Sequence, residues 1–238
     1  GMRVDELERA VADGVSAVFL QPRAHNPTGV TTSPKRAKQL AAVLGQTRAV
    51  IVEDDHSGDI ASGALVSIGS HLPGQTVHLR SYSKSHGPDL RLAAVGGAGD
   101  VVNAVANRRL LGAGWSSRIL QAVLLQMLDH RPTIDAVAHA RREYAHRRSS
   151  VTSVLSGRGV GFTGTDGINL WMHVADERSA LITLATQGIG AAPGEPFMVL
   201  GDSPSLRVTV GLIDHDLERI ATVLADAAGM APTRGGQR

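Results

Sequence analysis

Hydrophobic and polar positions in the first half of the chain alternate between helical spacing and short apolar runs. Apolar residues at helical spacing predict two helices, over residues 4–14 and 33–45. Short runs rich in apolar residues predict four strands: Ala17–Leu20, Ala49–Val52, Val77–Leu79 and Leu92–Val95. The first two runs are apolar throughout, which is typical of strands buried on both faces. This alternation predicts an α/β structure around a largely parallel sheet.

The pattern in the second half of the chain becomes helical and then mixed. Helices are predicted at Val101–Leu110, Ser116–Leu128, Ile134–Leu155, Ala180–Ala185 and Leu217–Ala227. Strands are predicted at Ile168–Val174 and Leu206–Val210. We therefore expect a large domain over residues 1–132, a linking helix with a small α+β domain over 133–230, and a flexible tail over 231–238.

Composition narrows the class of protein. The 238 residues are 42% hydrophobic, and 24 basic against 22 acidic side chains leave a net charge of +2. Such a chain is too apolar to be disordered and too close to neutral to indicate nucleic-acid binding through this segment. The absence of cysteine excludes disulfides, thiol nucleophiles and cysteine-ligated metals. No apolar run approaches the ~20 residues that span a bilayer, so we expect a cytoplasmic protein with no membrane contact.

Three polar clusters each follow a predicted strand. They contain Asn26, Asp54 and Lys84. Because ligands bind beyond the carboxyl ends of parallel strands, these side chains could converge on one edge of the sheet. Each cluster also has an ordinary structural explanation: a tight turn at Asn26, a capping carboxylate at Asp54 and a solvated surface amine at Lys84.

The cluster around Lys84 has the donors that a carbonyl compound carrying a phosphate requires. The chain contains three lysines, so a lysine in this loop stands out. A reachable amine can trap a carbonyl group. The hydroxyls of Ser81 and Ser83 and the guanidinium of Arg91 suit a phosphate.

The acidic cluster admits more than one chemistry. Asp54 could hold a protonated ring nitrogen, or could ligate a divalent metal together with Asp55, His56 and Asp59. No other histidine or acidic residue has recognisable ligand spacing, and we predict no metal site.

The order of these motifs resembles the class I/II aminotransferases, which are pyridoxal-phosphate enzymes of fold type I. The motifs are His25–Gly29, Ile51–His56, Ser81–Lys84 and Leu90–Arg91. The combination of Glu53–Asp55, Ser83–Ser85 and Pro88–Arg91 is most similar to the aminotransferase-like domain of GntR-family regulators of the MocR type. The resemblance extends over residues 4–228. It implies a three-layer α/β large domain with a largely parallel sheet, a small C-terminal α+β domain and bound pyridoxal phosphate.

The resemblance also implies roles for the residues that would bind the cofactor. Lys84 would form the Schiff base and shuttle the substrate α-proton. Asp54, or Asp55 if the alignment slips by one residue, would pair with the pyridinium nitrogen. Asn26 would donate to the phenolic oxygen, and His56 stands where the family commonly has a tyrosine. The phosphate would be bound by Ser81, Ser83 and Arg91.

Two residues of the small domain are implied to bind the substrate. Arg207 is similar to the arginine that binds the α-carboxylate bidentately, and Asn169 falls where the family often contacts the same group. In the family, a helix N-terminus that cradles the phosphate and an aromatic ring that stacks on the pyridine both precede the Asn-Pro-Thr-Gly loop. Only about twenty residues precede that loop here. The chain therefore looks like an aminotransferase domain that lacks its first part, and the apolar sheet edges left open should require a partner such as a homodimer mate.

Three functions are consistent with these motifs. The first is transamination of an amino acid to a keto acid through a Lys84 Schiff base. The second uses the same site to sense an effector, as in a GntR/MocR-type transcriptional regulator. The third is a truncated, non-catalytic domain that serves in interaction or dimerisation.

Overall fold

The computed structural model describes residues 1–112, 114–199 and 203–229. It divides the chain into two compact units. The first comprises residues 1–23 and 31–140, and the second comprises residues 24–30 and the chain from 141 onwards. The loop 24–30 therefore groups with the C-terminal part of the chain, because the carbonyl oxygen of Gly29 accepts hydrogen bonds from the backbone N–H groups of Thr165 (3.0 Å) and Asp166 (3.1 Å).

The first unit is an α/β structure built on a four-stranded sheet. Its helices are α1 (Val4–Ala12), α2 (Pro34–Leu44), α3 (Gly99–Leu110) and α4 (Arg118–Asp129). Its strands are β1 (Ala17–Leu20), β2 (Val50–Asp55), β3 (Thr76–Ser81) and β4 (Ala93–Gly97), in the spatial order β1-β2-β3-β4. The first three strands are parallel and β4 is antiparallel to β3, so the predicted largely parallel sheet is confirmed.

One face of this sheet carries the core of the first unit. The α2 helix begins at Pro34, and the Ser33 side chain accepts a hydrogen bond from the N–H of Arg36 (3.2 Å) as its N-cap. Apolar residues of α1 and α2 pack on β1 and β2 on that side of the sheet. Phe19 on β1 is 73% exposed, so the prediction that the first two strands are buried on both faces is wrong. The reason is that α1 and α2 place their apolar side chains on one face.

The second unit contains a four-stranded antiparallel sheet with helices packed on it. Its strands are β5 (Phe162–Thr163), β6 (Asn169–His173), β7 (Ala192–Pro193) and β8 (Ser205–Thr209), in the order β5-β6-β8-β7. Its helices are α6 (Glu177–Thr186), α7 (Leu217–Ala228) and the part of α5 (Arg131–Gly157) that follows residue 140. The two-residue strands β5 and β7 are too short to give a sequence pattern. The predicted tail over 231–238 lies outside the described residues.

Register separates the two faces of the second sheet. Leu170 and Met172 on β6, with Leu206 and Val208 on β8, belong to the core cluster. Side chains alternate along a strand, so Asn169, Trp171, Arg207 and Thr209 share the opposite face. Trp171 lies opposite Arg207 in the register, and Asn169 lies opposite Thr209. The polar face therefore presents these four side chains together.

Among the residues that the structure describes, no helix has both the length and the hydropathy needed to cross a bilayer.

Candidate functional site

The end of β2 carries two consecutive carboxylates that face opposite sides of the sheet. Burial alternates along the strand, so Asp55 is fully buried and Asp54 is half-buried. Asp54 Oδ2 accepts a hydrogen bond from Gln21 Nε2 (2.8 Å), and Gln21 directly follows β1. Asp54 therefore lies on the face opposite the helical core, where a ligand can approach it.

Asp55 is the centre of a buried ion-pair network. Arg23 Nε and Nη2 donate to its two oxygens (both 2.8 Å), and Arg80 Nη1 donates to Oδ2 (2.5 Å). Burial alone raises the pKa of Asp55, but the hydrogen bonds and charges of Arg23 and Arg80 outweigh it and bring the pKa to about 2. Because both of its oxygens are engaged, Asp55 is a structural anion, which favours Asp54 as the partner of a ring nitrogen.

Asp59, which the sequence offered as a possible metal ligand with Asp54 and His56, also belongs to this ion-pair network. Asp59 Oδ1 pairs with Arg80 Nη2 (2.7 Å). In the described ranges, no group of three histidine or acidic side chains is arranged to hold a metal ion. Asp55 and Asp59 are thus tied to Arg80, and they form no ligand set with Asp54 and His56.

His56 follows β2 and has a spare ring nitrogen. Its Nε2 lies 3.1 Å from Ser57 Oγ, and its Nδ1 is one of two buried side-chain polar atoms without a hydrogen-bond partner among the described residues. Burial lowers the pKa of His56, the Asp54 and Asp55 carboxylates oppose this shift, and the Lys84 ammonium adds to it. Burial therefore favours the neutral imidazole of His56, and the charges of Asp54 and Lys84 both act on its pKa.

The loop after β3 presents Lys84 to solvent. Ser81 Oγ accepts a hydrogen bond from the N–H of Ser83 (3.3 Å), and the N–H of His86 donates to the Tyr82 carbonyl (2.9 Å), which closes a turn around the exposed Lys84. This turn keeps the amine accessible to a carbonyl compound.

Arg91 follows the short turn Pro88–Leu90 with φ at 51° and ψ at 37°. This left-handed conformation is uncommon for a residue other than glycine, and such residues cluster at functional sites. The Arg91 side chain is exposed and free to meet an anion from solvent.

The Asn-Pro-Thr-Gly loop is built into the second unit. The Asn26–Pro27 peptide bond is cis, and Gly29 has φ at 62°. A Cβ atom on Gly29 would lie 2.6 Å from Gly164 Cα, so only glycine fits this approach. Thr163 Oγ1 also donates to the Thr28 carbonyl (3.1 Å). These contacts hold the loop that carries Asn26.

Asn26, Asn169 and Arg207 come together in the second unit. Asn26 Oδ1 accepts hydrogen bonds from Arg207 Nη1 (3.2 Å) and Asn169 Nδ2 (3.4 Å), and Thr209 Oγ1 donates to Asn169 Oδ1 (3.1 Å). Arg207 Nε is buried and is the second of the two partnerless polar atoms among the described residues. The guanidinium also lies over the Phe197 ring, 5.0 Å from its centroid. An arginine with an unused Nε is suited to a carboxylate.

Two residues that contact these groups, Gln21 and Phe197, are not predicted from the sequence. Gln21 donates to Asp54, and its position directly after a predicted strand was an available signal. Phe197 lies in the turn Glu195–Phe197, where no local pattern indicates that its ring will reach Arg207.

The donor set fits pyridoxal phosphate. Asp54 offers a carboxylate for a protonated ring nitrogen. His56 offers an imidazole whose buried Nδ1 has no hydrogen-bond partner within the described ranges, which suits the phenolic oxygen. Lys84 offers an exposed amine for an aldehyde. Hydroxyls at residues 81 and 83 and the exposed guanidinium of residue 91 offer hydrogen bonds for a phosphate.

Comparison with known proteins gives the family and relatives of the chain. The model of the family "Aminotransferase class I and II" matches residues 1–224. The vitamin B6 salvage pathway transcriptional repressor PtsJ of Salmonella typhimurium is 34% identical over 230 residues, which are 95% of this chain and 53% of that protein. The transcriptional regulator TauR of Rhodobacter capsulatus is 28% identical over 182 residues, which are 73% of this chain and 38% of that protein. The chain thus spans about half the length of these relatives, or less.

Solved structures show the same fold. Kynurenine aminotransferase from Pyrococcus horikoshii matches with a TM-score of 0.83 at 22% identity, over 96% of this chain and 60% of that chain. Aspartate aminotransferase from Thermus thermophilus, solved with maleate, matches with a TM-score of 0.83 at 20% identity, over 95% of this chain and 60% of that chain. These likenesses confirm the predicted fold class. The match of the family model over most of this chain shows that the chain belongs to the family of class I and II aminotransferases.

Proposed function

We propose that this chain carries pyridoxal-phosphate-dependent aminotransferase chemistry, which converts an amino acid to a keto acid. The observation that carries the proposal is the arrangement at the strand ends of the first unit. Asp54 stands on the face of β2 opposite the core, and His56 lies within electrostatic range of both Asp54 and the exposed Lys84. Family membership and the fold of the solved neighbours support the same conclusion.

Each residue of the first unit has a role in this proposal. When bound, pyridoxal phosphate supplies an aldehyde that takes up the amino group and a ring that accepts the electrons released at the α-carbon. Lys84 would hold the cofactor through its ε-amine and, once the substrate amine has displaced it, would move the α-proton. The Asp54 carboxylate keeps the ring nitrogen protonated. The phosphate is bound by residues 81, 83 and 91, whose hydroxyls and guanidinium donate hydrogen bonds.

We assign His56 of the first unit to the phenolic oxygen, and the role of Asn26 toward that oxygen stays a prediction from the resemblance. Groups of the second unit are assigned to the substrate. Arg207 binds the α-carboxylate through its fork of N–H groups, and Asn169 contacts the same carboxylate. In the part of the chain that the structure describes, Arg207 Nε has no hydrogen-bond partner, which supports this assignment because a carboxylate would satisfy it.

The test is covalent trapping of the cofactor. The chain is mixed with pyridoxal phosphate, its visible absorbance is recorded, and borohydride reduction is followed by peptide mass mapping. We expect label on Lys84 and loss of the visible band in Lys84→Ala. Lys35 and Lys38, both exposed on α2, are internal controls for non-specific labelling. Equal label on all three lysines, or no band, would refute the catalytic role of Lys84 and support a non-catalytic domain.

Effector sensing is the second candidate, because the relatives described above are transcriptional regulators and one is 34% identical over 95% of this chain. In that function the same residues bind the cofactor or an amino acid without turnover. A single-turnover experiment with a mixture of amino acids separates the two. An aminotransferase releases a keto acid, whereas a sensor binds and changes its spectrum without release.

The homodimer and the cytoplasmic location stay predictions.

A further inference from the structure

The carboxylate of Glu177 binds three backbone N–H groups in the second unit. Glu177 lies in the first turn of α6. Its Oε2 accepts hydrogen bonds from the N–H groups of Gly194 and Glu195 (both 3.2 Å), and its Oε1 accepts one from the N–H of Ser205 (3.3 Å). Through these hydrogen bonds the Glu177 side chain connects α6 both to the turn that begins at Gly194 and to Ser205, the first residue of β8.

The turn and the strand that Glu177 joins both lead to Arg207. Gly194 precedes the turn Glu195–Phe197, and the Phe197 ring lies 5.0 Å from the Arg207 guanidinium. Ser205 begins β8, two residues before Arg207. The Phe197 ring also packs edge-on against Trp171, which lies opposite Arg207 in the register, with ring centroids 6.2 Å apart.

The turn 194–197 packs closely against the first residue of β8. A Cβ atom on Gly194 would lie 2.2 Å from the Ser205 carbonyl oxygen and 2.8 Å from the Trp171 ring. A backbone N–H group buried at such a contact needs a hydrogen-bond acceptor, because leaving it unpaired costs free energy. Three N–H groups at the contact are bound by Glu177, and a carboxylate accepts such bonds more strongly than a neutral acceptor does.

We propose that Glu177 is a positioning residue for carboxylate recognition by Arg207. Glu177 fixes the turn 194–197 against the start of β8. The Phe197 ring then holds one face of the guanidinium and Asn26 Oδ1 binds Nη1, while Nε has no hydrogen-bond partner among the described residues and is left for a carboxylate. This inference rests on the proposed role of Arg207, and it deepens that role by naming the residue that sets its geometry.

Glu177→Gln tests the proposal with little change in shape. An amide has one acceptor oxygen where the carboxylate has two, so at least one of the N–H groups bound by Glu177 loses its acceptor. The matched control is Glu218→Gln, because Glu218 is an exposed residue in the first turn of α7 and its neutralisation has the same effect on a helix dipole.

Binding of 3-phenylpropionate is measured without cofactor. The chain has two tryptophans, so a Trp115→Phe background leaves Trp171 as the fluorescent reporter beside Phe197. Titrations are made well below the melting temperature of every variant, and melting temperatures are recorded in parallel. We expect Glu177→Gln to raise the Kd by about tenfold, Arg207→Lys to abolish binding and Glu218→Gln to leave the Kd unchanged.

A lower melting temperature with an unchanged Kd in Glu177→Gln would overturn the proposal, because that result describes a purely structural residue. Failure of the Trp115→Phe protein to bind 3-phenylpropionate would also overturn it. Neither result depends on Lys84, because no cofactor is present. The labelling experiment can therefore fail or succeed independently.

Discussion

At the scale of single residues, the consecutive acids Asp54 and Asp55 differ in role because a strand turns successive side chains to opposite faces. Asp55 is fully buried and is bound by Arg23 and Arg80. Asp54 is half-buried and is bound by the amide of Gln21. The first compensates the charges of the buried Arg23 and the half-buried Arg80, and the second keeps a charged group available at the strand end.

Asparagine substitutions should separate these roles. Asp55→Asn removes the charge that compensates Arg23 and Arg80, and we expect it to lower the free energy of unfolding by about 3 kcal/mol. Asp54→Asn should change that free energy by less than about 1 kcal/mol while weakening the binding of pyridoxal phosphate. Urea unfolding and cofactor titration of both variants check this. Equal destabilisation by both substitutions would contradict the assignment.

At the scale of elements, the loop 24–30 is held by close backbone packing. Gly29 combines φ at 62° with a separation from Gly164 that leaves no space for a side chain. The N–H groups of Thr165 and Asp166 bind its carbonyl oxygen. Any displacement at Gly29 therefore moves Asn26, which accepts a hydrogen bond from Arg207.

Alanine at two glycines of the second unit should distinguish packing from backbone strain. Gly188 has φ at 71°, and a Cβ atom there would have nothing within 4 Å. We expect Gly188→Ala to lower the free energy of unfolding by about 1 kcal/mol, from the left-handed conformation alone. Gly29→Ala should lower it by about 3 kcal/mol, because the added methyl group also overlaps Gly164 and the Asn169 carbonyl. Urea unfolding measures both, and similar losses would show that packing at Gly29 contributes little.

At the scale of the whole molecule, buried titratable groups make folding sensitive to acid. Burial raises the pKa of Glu53, but hydrogen bonds from His78, Ser67 and the backbone of Ile68 outweigh it, so the pKa is lowered. The pKa of Asp55 is lowered as well. Burial lowers the pKa of His56, and it lowers that of the His173 imidazole too. In each case the unfolded chain binds protons more readily than the folded one.

Stability should therefore decrease as the pH falls. The histidine contribution is complete above the ordinary pKa of 6.5 and is lost as the pH drops below it. The Asp55 contribution, about 2 kcal/mol, is complete above its ordinary pKa of 3.8 and is lost as the pH approaches 2. Urea unfolding as a function of pH measures the curve. Asp55→Asn should flatten its lowest part, and an unchanged slope there would contradict the stabilising role of Asp55.

Local sequence patterns were sufficient to predict the alternation of helices and strands and the largely parallel sheet. The order of the short motifs was sufficient to predict the family. The strand β2 extends to Asp55, so Asp54 lies at the end of the strand and not after it. The loop with Lys84 follows β3 as predicted, because strand periodicity and turn chemistry are encoded within a few residues. The motifs around Asn26, Asp54, Lys84 and Arg91 were recognisable for the same reason. They are short, and their order along the chain is visible without coordinates.

Contacts between residues that are distant in sequence are visible only in the folded chain. Tertiary structure showed that Asp55 belongs to the ion pairs with Arg23 and Arg80, since only packing of α1 and α2 determines which face of β2 is covered. It grouped Asn26 with Arg207, 181 residues away. It also brought the Glu177 carboxylate to the turn beside Arg207. Local sequence patterns thus encode the elements and the chemical groups, while long-range packing and hydrogen bonding select which of those groups meet.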